Sequence, residues 1–297
     1  MTTKKIVNKK QLALIGIVFL LIATYFGAKM YASKVAENKL NKAIAKVSKF
    51  VKVEYQKVNV DLLDLDVHIS GVTIFRVGSP VKVKISEIFI KEIDTKSDIP
   101  TFLDLSFNGI ELDLNKPEGI TDSIKELGYI DKLFVNFKIV YDYDKDKKEI
   151  NINKLSIGSD NVGDFKISAR FGNIHLDPKK IVFMIFAYSQ IMLHEAKISY
   201  QDNSFVERII KTIASKTEKD VEEFKNGLIK IMEKVIKNEN DAFTKKALNE
   251  IKNFINDPEK LSISISPLKP QPFKSMMRVK DPKDLINLLN IQIKSKK

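Results

Sequence analysis

Hydrophobic and polar positions change rhythm three times along the chain. Between Lys10 and Lys29 lie 18 uncharged residues, QLALIGIVFLLIATYFGA. At about 1.5 Å per helical residue, such a stretch nearly crosses a ~30 Å hydrocarbon core, so the pattern predicts a transmembrane helix over residues 11–32. Its anchor residues are Leu12, Leu14, Ile15, Ile17, Val18, Phe19, Leu20, Leu21, Ile22, Tyr25 and Phe26, with the aromatic rings gathered at the C-terminal end. No clean small-x-small cleavage site follows, which favours an anchor over a cleaved signal peptide. Residues 33–50 repeat Val35, Leu40, Ala43, Ile44 and Val47 at three- and four-residue intervals, the mark of an amphipathic helix. That helix either lies on anionic headgroups or continues the anchor helix into solvent.

From Val51 to Tyr200 the period becomes two, and a short motif recurs: LDVHISGVTI at 65–74, LDLSFNGIEL at 103–112 and ISARFGNIHL at 167–176. Each has alternating apolar positions, a Gly-containing pair, then two more. The apolar sets are Leu65, Val67, Ile69 with Val72 and Ile74; Leu103, Leu105, Phe107 with Ile110 and Leu112; and Ile167, Ala169, Phe171 with Ile174 and Leu176. A two-residue turn returns its flanking residues to one face, so Asn108-Gly109 and its two weaker counterparts favour hairpins over glycine bulges. Either way one apolar face results, forming a core or a groove. Residues 133–144 and 149–157 predict a further hairpin across 145–148.

After Asp202 the period returns to 3.6. Three amphipathic helices are expected between 203 and 257, packed on the sheet or on each other rather than presenting a detachable face. LSISISP at 261–267 reads as a returning strand, and 281–291 as a short helix. The expected fold class is α+β: one N-terminal transmembrane helix, an antiparallel curved sheet with hairpin repeats, and a C-terminal helical segment returning to a strand. The divisions are a tail at 1–10, the span at 11–32, a juxtamembrane helix at 33–50, a β-rich domain at 51–202 and a helical segment plus strand at 203–297.

Charge sharpens this picture. Of the net +12, residues 1–57 hold +10, from 12 Lys against Glu37 and Glu54, so the body is nearly neutral. Nucleic-acid binding thereby loses its electrostatic footprint. Lys4, Lys5, Lys9 and Lys10 before the span, with Lys29 and Lys34 after it, suit lipid headgroups and place the N-terminus in the cytoplasm.

Chemistry is sparse. With zero Cys there is no thiol nucleophile and no Cys-based metal site. His68, His175 and His194 are scattered without a second ligand at metal spacing. Asp142, Asp144 and Asp146 imitate the opening of a calcium loop, but Lys147 and Asn153 stand where Gly and Glu are needed. No phosphate-binding, nucleophile-elbow or dinucleotide motif occurs. The expectation is a non-enzyme without cofactors.

A basic tail, one span, a Lys/Ala-rich helix and strands of the form LDVHISGVTI resemble the start of AsmA-like and YdgA-like bacterial envelope proteins, mainly over residues 1–115. The resemblance implies an inner-membrane anchor, with the bulk in the periplasm and a β-rich groove engaged in lipid traffic or envelope homeostasis. On this reading the repeats form a groove for acyl chains, helices 203–257 cover it, and membrane lipid is the partner. The alternative is a structural protein scaffolding a protein partner in an envelope complex.

Overall fold

The structure, a computed structural model, describes residues 33–296 apart from 62–65, 79–81, 95–96, 98, 116–119 and 177–187. Its centre is one twelve-stranded antiparallel sheet. The strands are β1 (Val51–Glu54), β2 (Lys57–Val60), β3 (Val67–Arg76), β4 (Lys82–Ile93), β5 (Phe102–Asp113), β6 (Lys132–Asp144), β7 (Glu149–Ser159), β8 (Gly163–Gly172), β9 (Met192–Asp202), β10 (Lys260–Ile265), β11 (Gln271–Pro272) and β12 (Ile291–Lys296). Strands β3 to β10 follow one another as a meander, β12 pairs with β10, and β1 and β2 pair with successive halves of β3. Antiparallel neighbours suit a chain whose apolar positions alternate, and the connections run from the tight turn at 145–148 to the helical segment 203–259 between β9 and β10.

Seven helices are described: α1 (Ser33–Val47), α2 (Ile120–Glu126), α3 (Phe205–Lys216), α4 (Val221–Asn238), α5 (Ala242–Asn256), α6 (Phe273–Arg278) and α7 (Pro282–Leu289). The helices after β9 start where the sequence supplies caps. Asp220 accepts from the backbone N–H groups of Glu222 and Glu223, and Asp241 from that of Thr244.

The core proper lies at the N-terminal half of the sheet. Ala36 and Leu40, one helical turn apart on α1, are buried with Ile69, Ile88, Leu105 and Phe107. Of the apolar positions on this helix, Leu40 is buried in the core and Ile44 packs against it, while Val35 is exposed. Lys34 falls in its first turn.

The expected fold class is corrected in two respects. The chain is a mostly antiparallel twelve-stranded sheet with small helices, and among the described residues no helix is long and apolar enough to cross a membrane. The longest of them, α4, has 18 residues but carries Glu222, Glu223, Lys225, Lys230, Glu233, Lys234 and Lys237. The expected span at 11–32, from Leu12 to Phe26, lies outside the described residues, as do Lys4, Lys5, Lys9, Lys10 and Lys29. Single-pass inner-membrane anchoring, with the bulk in the periplasm, has no spanning helix among the described residues to rest on and is not carried forward.

The second correction concerns the repeats. Ser70-Gly71 and Asn108-Gly109 lie inside the continuous strands β3 and β5, not at hairpin tips. Phe107 and Ile110 pair with Phe137 and Val135 of the same neighbour, so the chain does not reverse; the two residues between them form a bulge. Gly109 sits at φ +66, the left-handed conformation that a glycine bulge requires; Gly71 is also left-handed, at φ +63, but the β3–β4 register runs through it without a shift. The third copy ends β8, with Asn173 at φ +58. By contrast, 133–144 and 149–157 do pair across 145–148, as β6 and β7.

Candidate functional site

Cross-strand partners share a face of a sheet, so the pairing register shows what each face presents. One row runs Ile69, Ile88, Phe107, Phe137, Ile157, Phe165, Tyr200, Leu261 over eight successive strands. The next runs Val67, Ile90, Leu105, Ile139, Leu155, Ile167, Ile198, Ile263, Ile293. A third holds Leu103, Tyr141, Ile152, Ala169, Ala196, Ile265 and Ile291. The face is apolar from one side of the sheet to the other.

Its cover is not uniform. Phe107 is 0% exposed beneath the α1 side of the core, but along the same row Ile157 is 50% and Phe165 39% exposed. Helices stand around this opening. At one end of the strands, Leu114, Tyr129 and Leu133 cluster with Leu127 just after α2 and Phe205 of α3. Over β9, β10 and β12 lies α5, with Phe254 edge-on to Tyr200 at 6.1 Å and Glu250 bonded to Ser295. At the opposite strand end, Phe273 of α6 meets Phe171 edge-on, also at 6.1 Å. The result is a walled apolar floor centred on β7 and β8, with the small Ala169 and Ala196 lowering its third row.

The opposite face is polar. Its corresponding row reads Ser106, Lys138, Ser156, Lys166, Ser199, Ser262, Lys294. Lys138 pairs there with Asp104 at 2.7 Å. A pocket of about 330 Å³ is lined by Asn151, Ser168, Lys197 and Ser264 together with Ile152, Ala169, Ala196 and Ile265 of the third apolar row. A larger one of about 580 Å³ lies between α2 and α3. In it Arg208 lies over the Tyr129 ring at 4.2 Å and donates to the Gly128 carbonyl, while Lys216 pairs with Glu126 at 2.8 Å. These bonds fix α3 on the sheet end.

Ionisable groups around the floor are held for structure. Burial pushes the Tyr141 phenol up to about 12, helped by the charge of Asp94, and its hydroxyl donates to the Pro100 carbonyl. Tyr200 is likewise raised, by burial first and then by Asp202, which accepts its hydroxyl at 2.8 Å. His68 contacts Glu87 at 2.9 Å and packs against Phe89 with the two rings tilted by 56°; His194 is 3.7 Å from Glu149. Among the described residues no group of three His, Asp or Glu side chains is placed to hold a metal. Asp144 accepts from the backbone of Asp146 and Lys147, which closes the β6–β7 tip as a turn.

The residues that the repeats single out divide between core and floor. Val67, Ile69, Val72, Ile74, Leu103, Leu105 and Phe107 are buried in the covered half, and Ile174 is buried beyond the end of β8. Ile110, Leu112, Ile167 and Phe171 are half-buried, and Leu65 lies outside the described residues. The exposed pair, Ile157 and Phe165, lies outside the recurring apolar sets. Their signal was the alternation in NINKLSI and in GDFKISARF, which continues the period on either side of the β7–β8 turn.

A family model described as "Uncharacterized protein" matches residues 156–296, from within β7 to the end of β12. An uncharacterised protein of Aquifex aeolicus (strain VF5) is 25% identical over 310 residues, covering 97% of this chain and 100% of that protein. The similarity to that protein therefore extends over both the covered core and the open floor.

Proposed function

We propose that this chain is a non-catalytic lipid-binding protein whose apolar floor takes acyl chains. The observation that carries the reading is the exposure of Ile157 and Phe165, beside the β7–β8 turn, on an apolar row that is buried at Ile69, Ile88 and Phe107. An open apolar surface ringed by helices costs free energy unless something covers it. An acyl chain suits an extended floor with no directed polar groups, because its attraction is proportional to area and indifferent to direction. Each methylene buried contributes about 0.8 kcal/mol, so ten would contribute on the order of 8 kcal/mol before the cost of association. The resemblance of the N-terminal strands to AsmA-like proteins supports the same reading.

Native mass spectrometry of the purified full chain, followed by solvent extraction, tests it. The expected result is co-purifying lipid that an Ile157→Asp, Phe165→Asp double variant no longer carries. A chain free of lipid and unable to take up added fatty acid would overturn the reading. A stoichiometric protein seated on the same floor would favour scaffolding instead.

A further inference from the structure

We propose that α4 is a movable cover for the floor, closing its own exposed apolar stripe over the bound chain; the proposal rests on the acyl-chain reading. Ile231 and Val235, one turn apart on α4, are 64% and 50% exposed. Ile236, pointing the other way, is buried. The helix thus has two apolar sides, one spent on its neighbours and one left in water.

Its supports are the two helices that wall the floor. It packs on α3 and α5 rather than on the sheet, and Glu233 pairs with Lys252 of α5 at 3.3 Å. Short connections join it to both, and that from α3 passes through Glu218 at φ +53. Gly227 lies inside α4, where an added Cβ would meet nothing within 4 Å. No close packing requires that glycine, and it weakens the helix by roughly 0.5–1 kcal/mol relative to alanine. Among the described residues there are thus a partly exposed apolar floor and an exposed apolar helix stripe, joined through shared walls. An acyl chain between them would remove both from water, which gives the ligand the differential affinity for the closed state that any population shift demands.

The absence of cysteine makes the test clean. Single-thiol variants Ile231→Cys and Leu268→Cys of the full chain are treated with a maleimide, with and without a saturating fatty acid whose binding is followed separately. Leu268, 98% exposed and off the helix, is the control. Closure predicts a slowing of about tenfold or more at position 231 and none at 268. Fatty acid that binds without changing the rate at 231 overturns the cover and leaves the acyl-chain reading standing. Fatty acid that fails to bind overturns both.

Discussion

One carboxylate oxygen of Glu250 accepts both hydrogen bonds that Ser295 can donate, from its backbone N–H at 2.7 Å and its hydroxyl at 2.6 Å. The pair ties α5 to β12, the last strand of the sheet, and occupies a backbone donor of that strand. An edge strand with free donors invites pairing with another chain, and here a side chain of the same protein occupies one of them.

The bond has a pH signature. The Ser295 hydroxyl first, and then its backbone N–H, hold the Glu250 carboxyl below its ordinary value. A carboxylate favoured in the folded state contributes stability above its unfolded pKa and loses it as pH falls through the folded one. Glu250→Gln should therefore unfold at lower urea than the parent at pH 7, by about 1–2 kcal/mol. The two should converge once the pH is low enough to protonate Glu250 in the folded chain, below the ordinary carboxylate range. An equal gap at pH 7 and at that lower pH would show that the charge is irrelevant.

Two glycines should respond oppositely to alanine. Gly163 sits at φ +146, and its Cβ would fall 2.5 Å from the Gln201 carbonyl oxygen and 2.6 Å from the Tyr200 hydroxyl. Gly163→Ala should cost about 1–3 kcal/mol by denaturant unfolding. Gly227→Ala, placed in open space on α4, should gain about 0.5–1 kcal/mol.

Core and floor occupy one row of the sheet yet should differ in energy. Phe107, fully buried, should cost about 3–5 kcal/mol on truncation to alanine. Ile157, half exposed, should cost about 1 kcal/mol or less, because water already reaches much of its side chain. Equal losses would mean that the floor is packed core in solution.

The period-two alternation made the strands legible, and the 3.6 period did the same for the helices after Asp202. What the alternation does not encode is cover. Leu105 and Ile167 have the same local pattern and lie in the same row, but one is buried and the other half open, because the first belongs to the core cluster that α1 joins and the second does not. The Asn108-Gly109 bulge departs from the hairpin expectation for a related reason. A residue pair around Asn-Gly returns to one face whether the strand turns back or bulges, and only the pairing of Phe107 and Ile110 with the same β6 neighbour distinguishes the two.

The most direct test uses the absence of tryptophan. Phe165→Trp places a single indole on the floor, and bromine-bearing fatty acid quenches indole fluorescence only on contact. The account predicts saturable quenching that unbrominated fatty acid competes away. Fluorescence unchanged up to fatty-acid saturation, in a variant that unfolds like the parent, would contradict it.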